Sequence, residues 1–225
     1  MLIYGKQPVQ YAIERHRERI KTLYVAKELD KKEYGQLMKM GFEVKRIPPN
    51  AAQSMVKGGN HQGYIAEISA LVPYAPSFLK QCSFVVVLNS ITDVGNIGSL
   101  VRSAYALGID ALVICGIKEP NMEPIVRTST GAALDLPIVI IHNIHDVMHE
   151  LKQSGFTLYG AMMEGKDVRE MSFAPKRALV LGSEGSGLSG RVQKGLDCGV
   201  SIPMAHDFDS LNVGVAGAIL MERMR

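Results

Sequence analysis

Short apolar runs bounded by glycine or proline alternate along this chain with stretches in which apolar positions recur every three or four residues. The runs predict strands and the recurring stretches predict amphipathic helices. Within residues 1–72, a helix is expected to begin at Val9-Gln10-Tyr11-Ala12-Ile13, before the charges from Glu14 to Arg19 interrupt the pattern. A short strand is expected over 23–26, and a helix over 34–40 closed by Gly41. Alternation at 43–47 predicts a strand stopped by Pro48-Pro49. A further strand is expected over 63–68, after Gly58-Gly59. Together these make a compact α/β unit near the lower size limit of an independent domain.

Val72-Pro73-Tyr74-Ala75-Pro76-Ser77 carries two prolines and no periodicity, and reads as a linker. Beyond it the continuous apolar run 84–88 predicts a strand buried on both faces. A helix is expected over 97–107, ended by Gly108, and further strands over 111–114, 136–141, 157–161, 177–182 and 200–204. Helices are expected over 146–152 and 211–224. Strands alternating with helices imply an α/β fold with a mainly parallel sheet covered by helices. Ligands on such sheets sit at the carboxyl ends of the strands. The expected division is a first domain at 1–72, a linker at 73–79 and a second domain at 80–225.

Composition narrows the class without naming it. The chain has 225 residues, 47% hydrophobic and 21% charged, as ordinary globular proteins do. It lacks the long unbroken apolar stretch that a membrane helix needs. Its opening residues lack the charged start and apolar run of a secretory leader, so a cytoplasmic protein is expected. Cys82, Cys115 and Cys198 are odd in number and widely spaced, which argues against a disulfide framework or a zinc site. Charge is uneven: residues 1–72 hold 12 Lys and Arg against 7 Asp and Glu, a net of +5, and the rest nets −2. A basic first segment marks where a polyanion would land.

Three loops carry candidate chemistry. The first runs from Asn89 to Arg102, follows a buried strand and opens a helix. Its Asn96 offers both donor and acceptor, and Arg102 near a helix start suits a phosphate. The second, Leu181-Gly182-Ser183-Glu184-Gly185-Ser186-Gly187-Leu188, is a glycine-rich turn holding a carboxylate. It has neither the G-x-G-x-x-G spacing nor the lysine of a P-loop, so the usual nucleotide cradles fit poorly. The third joins Ile202-Pro203-Met204 to Asp209-Ser210-Leu211-Asn212-Val213-Gly214, at the start of the last expected helix. Each alone is also explained as a capped or ordinary strand-to-helix turn.

Taken jointly and in this order, the three loops resemble the motifs of the SpoU (TrmH) family of RNA ribose 2′-O-methyltransferases, within the SPOUT superfamily. Residues 1–72, with Gly5 and Val9 at their start and His61-Gln62-Gly63-Tyr64-Ile65-Ala66 at their end, resemble that family's ribosomal-protein-like substrate-binding domain. The whole looks most like the branch that methylates guanosine in 23S rRNA. The resemblance implies a SPOUT α/β-knot, with a deep C-terminal trefoil knot forming the pocket for S-adenosyl-L-methionine. It also implies a homodimer through the C-terminal domain. By motif position it implies catalytic roles for Asn96, Arg102, Glu184, Ser210 and Asn212, with the cofactor against Ala161, Gly182, Ile202, Met204 and Leu211. Arg102 would hold the target phosphate, and Glu184 would hold Arg102 or the substrate. Two departures stand out. Gly214 replaces a frequent serine, and Val94-Gly95 replaces a frequent proline plus polar residue.

The partner implied is RNA, ribosomal rather than transfer RNA, with no membrane. Candidate contacts on the first segment are Arg15, Arg17, Arg19, Lys31, Lys32, Lys45 and Arg46, each also explicable as a solvated face. His142, His145 and His149 cluster, and the last two, four apart on an expected helix, have a spacing that can bind metal; without a third ligand of suitable type they read as a solvent-facing helix edge, and no metal is expected. The rival readings are a transfer-RNA ribose methyltransferase and a catalytically silent RNA-binding paralogue.

Overall fold

A computed structural model describes residues 1–208 and 210–225. The chain divides into two compact units, Met1–Val72 with Asn121–Leu134, and Pro73–Pro120 with Asp135–Arg225.

In the first unit β1 (Leu2–Tyr4) leads through Gly5 into α1 (Lys6–Arg15), followed by β2 (Ile20–Val25) and α2 (Lys31–Leu37). The Asp30 side chain caps α2 by accepting from Glu33 N at 2.7 Å. Then come β3 (Glu43–Arg46), α3 (Pro49–Met55) and β4 (Tyr64–Ile68). The sheet order is β1-β4-β2-β3, antiparallel except for the parallel β2–β3 pair. Helix α1 buries Val9, Ala12 and Ile13, spaced three, four and one apart on a single face. Pro48-Pro49, expected only to stop a strand, also starts α3, because a proline at the first helical position has no amide hydrogen to leave unpaired. Ala52 and Val56 from that helix and its end pack on Ile65, Leu2 and Tyr4.

The second unit begins with an ordered segment where a linker is expected. Tyr74 N donates to Ile138 O at 2.8 Å, and the Tyr74 and Phe78 rings lie 4.7 Å apart. Next come β5 (Phe84–Asn89), α4 (Val94–Ala106) and β6 (Ala111–Cys115). The Asp110 carboxylate takes the amides of Ser83 and Phe84 at 2.7 and 2.8 Å and fixes the start of β5. The chain then leaves for α5 (Met122–Thr128), which belongs to the first unit. There Leu2 N donates to Glu123 Oε1 at 2.7 Å, and the Arg127 guanidinium stacks 5.2 Å from the Tyr4 ring centre. Residues 121–134, within the expected second domain, thus pack with the first unit.

The remaining elements are β7 (Ile138–Ile140), α6 (Ile144–Gln153), β8 (Thr157–Asp167), β9 (Arg177–Leu181), α7 (Gly190–Gln193), β10 (Cys198–Ser201) and α8 (Val213–Met224). The sheet order is β10-β8-β9-β5-β6-β7, with every pair parallel. Strands β5, β6 and β9 are buried on both faces, which explains their unbroken apolar runs. Burial of apolar side chains at the core holds this layer: Val85, Val87, Val113, Val139, Leu158 and Val180 form one contiguous cluster. Strand β10 ends at Ser201, earlier than the expected 204, so Ile202-Pro203-Met204 lies beyond the sheet. Strand β8 runs past the expected 161. It pairs Gly160 with Gly199 and Lys166 with Val200, so residues 161–165 are displaced from the ladder.

Candidate active site

The carboxyl ends of β9, β8 and β10 and the start of α8 surround a cavity of about 640 Å³. That size suits a cofactor or drug-sized ligand. Its wall includes Ala161, Gly182, Ile202, Met204 and Leu211, all five of the expected cofactor contacts. Glu184, Ser210 and Asn212 also line it, whereas Asn96 and Arg102 do not. Asp209, part of the third loop, lies outside the described residues.

Gly182 sets the shape of the wall. A Cβ there would lie 2.3 Å from Gly187 C and 2.4 Å from Gly187 O, so only glycine lets the turn fold back on β9. The turn is closed by Gly187 N donating to Ser183 O at 2.9 Å, and by the Ser183 and Ser186 hydroxyls 2.6 Å apart. Gln193 Nε2 donates to Leu188 O at 2.7 Å and pins the far side of the turn. Gln193, Met162 and Met163 also line the cavity and were not anticipated. Gln193 sits on a helix of four residues, too short to announce itself by periodicity.

The three loops meet through side chains. Asp93 caps α4 by accepting from Asn96 N at 2.8 Å, which aims the Asn96 amide out of the first turn. Asn96 Nδ2 donates to Glu184 Oε1. Asn212 Nδ2 donates to Asn96 Oδ1 at 3.0 Å. Asn212 Oδ1 meanwhile accepts from Gly214 N at 2.9 Å and Val215 N at 3.3 Å, capping α8. Asn96 thus bridges the second and third loops. Glu184 is tied to Asn96. Arg102 is exposed on α4.

Gly214 opens no hole. A Cβ on it would lie 2.4 Å from Ser99 Oγ and 3.1 Å from Asn212 Oδ1, so Ser99 of α4 occupies that space. The Ser99 hydroxyl is held there by donating to Asn96 O at 3.0 Å.

The SpoU rRNA Methylase family model matches residues 83–222, and a model for RNA 2′-O ribose methyltransferase substrate binding matches residues 2–74. The chain belongs to the SpoU rRNA methylase family. This SpoU methylase is 28% identical over 237 residues to the 23S rRNA (guanosine-2′-O-)-methyltransferase RlmB of Pseudomonas putida, covering 99% of this chain and 95% of the relative. It is 33% identical over 200 residues to RlmB of Xanthomonas campestris, covering 84% and 80%. Among solved structures, the SpoU methyltransferase AviRb from Streptomyces viridochromogenes in complex with the cofactor AdoMet has a TM-score of 0.83 at 27% identity. That match covers 99% of this chain and 88% of AviRb. The α/β architecture with a mainly parallel sheet is that of these methyltransferases.

Proposed function

We propose that this SpoU methylase transfers a methyl group from S-adenosylmethionine to a ribose 2′-hydroxyl of ribosomal RNA, a guanosine in 23S rRNA being the preferred target. The observation that carries the reading is the joining of all three loops beside one cavity through Asn212, Asn96 and Glu184. The cavity fits the cofactor: Gly182 leaves room for a ligand against backbone, and Glu184 is the only charged side chain of the wall among the described residues. When bound, S-adenosylmethionine supplies a methyl carried on a sulfonium sulfur.

The protein's own residues divide the remaining work. Backbone at Gly182, Ile202 and Leu211 holds the cofactor, flanked by Ala161 and Met204. Arg102 grips the target phosphate bidentately and so orients the ribose. It does not act as the base, because a guanidinium offers only N–H donors and no acceptor for the proton. The gripped phosphate takes the hydroxyl proton. Asn96 and Glu184 set the position of the first loop relative to the cavity, and Ser210 and Asn212 present the start of α8. The first unit binds RNA through its cations. The resemblance adds a trefoil knot around the cavity and a homodimer through the second unit, where Met163, Phe208 and Val215 are exposed apolar side chains. The site of action is the cytoplasm, where ribosomal RNA is found. No helix among the described residues is long and apolar enough to cross a membrane.

The test is incubation with radiolabelled S-adenosylmethionine and separate pools of 23S rRNA and transfer RNA, followed by mapping of the modified nucleotide. Label on a 23S ribose is expected. Label on a base, or on transfer RNA alone, refutes the proposal.

A further inference from the structure

A second cavity, of about 500 Å³, opens within the first unit. Its floor is apolar and comes from three elements: Val9 and Ile13 of α1, Leu37 of α2 and Tyr64 of β4, each 9% exposed or less. Its rim is polar and of both signs. Lys6, Arg17 and Lys27 supply positive charge, and Gln10, Glu14 and Glu33 supply acceptors. Several of these are held in place. Arg17 is exposed, and its Nε donates to Ile13 O at 2.9 Å. Tyr64 Oη donates to Glu33 Oε1 at 2.8 Å, and Lys27 Nζ lies 4.6 Å from the Tyr64 ring centre. Gln10 Nε2 donates to Glu14 Oε1 at 2.9 Å.

We infer that this cavity receives an unpaired, amino-bearing nucleobase of the RNA substrate, with Lys6, Arg17 and Lys27 holding the phosphates on either side of it. The inference rests on the RNA-directed function proposed above. Three features select this occupant. A track for phosphates alone needs cations and gains nothing from a buried apolar floor. The carboxylates of Glu14 and Glu33 repel phosphate but accept hydrogen bonds from the exocyclic amino group of a base. Cations around the mouth match the charge of the flanking backbone. A flat apolar face, a donor edge and an anionic backbone occur together in a nucleotide splayed out of a loop, which is how sequence-specific RNA recognition works. Lys27 keeps its proton firmly: the bond to Tyr64 raises its pKa, against a smaller lowering by burial.

The experiment uses the full chain and fluorescein-labelled single-stranded oligoribonucleotides of purines, beside abasic strands of equal length. Anisotropy is read over a salt series. Wild type is expected to bind the base-bearing strand roughly 5- to 100-fold more tightly, the range that stacking and pairing of one base support. Met40→Trp, at the cavity wall, is expected to erase that preference with the salt slope unchanged, because no charge is removed. Lys27→Ala is expected to lower the slope by about 1. Gln10→Trp, at the exposed rim, repeats the plug if Met40→Trp does not fold. Far-ultraviolet circular dichroism melts, beside calorimetric cofactor affinity, check that both units of each variant are intact. Equal affinity of wild type for the two strands overturns the inference, as does wild-type preference in a plugged variant that binds cofactor normally. Either result, in variants whose melts match wild type and with 23S rRNA still methylated by wild type, leaves the enzymatic reading standing. Absence of any methylation refutes that reading instead.

Discussion

Gly182→Ala tests whether the turn after β9 is the wall of the cofactor site. The added Cβ would sit 2.3 Å from Gly187 C, 2.4 Å from Gly187 O and 2.7 Å from Leu188 N, where ordinary contact begins at 3.4 Å. These are backbone atoms, so no rotamer change relieves them. The turn must move by about 1 Å. That movement breaks or lengthens the 2.9 Å bond from Gly187 N to Ser183 O that closes the turn. Overpacking of this kind costs about 1–3 kcal/mol. Misplacement of a ligand-bearing wall by about 1 Å lowers function roughly 100-fold. Titration calorimetry with S-adenosylmethionine and with S-adenosylhomocysteine should therefore show affinity reduced about 10- to 100-fold. The melting temperature should fall by several degrees, with the far-ultraviolet spectrum unchanged. Gly190→Ala is the control: its Cβ meets nothing within 4 Å, and its affinity should match wild type. Affinity of Gly182→Ala within threefold of wild type, at unchanged melting temperature, would refute the reasoning.

Three further outcomes are expected. Arg102→Lys keeps the charge but loses the fork, so kcat/KM for RNA should fall at least tenfold while melting is unchanged; near-normal turnover would count against phosphate positioning. Gly214→Ala should destabilise wild type, because its Cβ meets Ser99 Oγ at 2.4 Å, yet be neutral or stabilising by up to about 1 kcal/mol in a Ser99→Ala background, as denaturant melts of the double-mutant cycle would show. Burial raises the Asp197 carboxyl, but the bonds from Lys152 Nζ and Leu158 N outweigh it and hold the group below its usual pKa. Its stabilisation is thus present above the unfolded carboxylate pKa of about 3.9 and lost as pH falls through the lower folded value, so the stability gap between wild type and Asp197→Ala should narrow below about pH 4 in acid melts.

How much of this could be read from the chain varied by element. Strands β5, β6 and β9 were plain, because burial on both faces demands unbroken apolar runs. Strand β1 was not, since three residues carry no period. Helix α3 was hidden by Pro48-Pro49, whose power to end a strand and to begin a helix has the same cause. The five expected cofactor contacts came from resemblance, not periodicity, and all five line the cavity. The bridge from Asn212 through Asn96 to Glu184 joins residues 116 and 88 positions apart, and no local pattern encodes a partner at that range. Among the expected RNA contacts, Arg17 lines the second cavity with Lys6 and Lys27, which had not been singled out. Lys45 pairs with Glu43 at 2.9 Å, and Arg46 stacks 4.0 Å from the Tyr34 ring centre.

The placement of Asn121–Leu134 in the first unit has a consequence for biosynthesis. When Val72 leaves the ribosome, the surface of β1 that will receive Glu123 and Arg127 is still bare. It stays bare until residue 134 has left the ribosome as well, roughly 3–12 s later at ordinary elongation rates. The amino-terminal unit therefore matures behind the ribosome only after β5, α4 and β6 of the other unit have been polymerised. A cut at Val72 would release a fragment without α5, whose Leu2 amide and Tyr4 ring lack the partners Glu123 and Arg127.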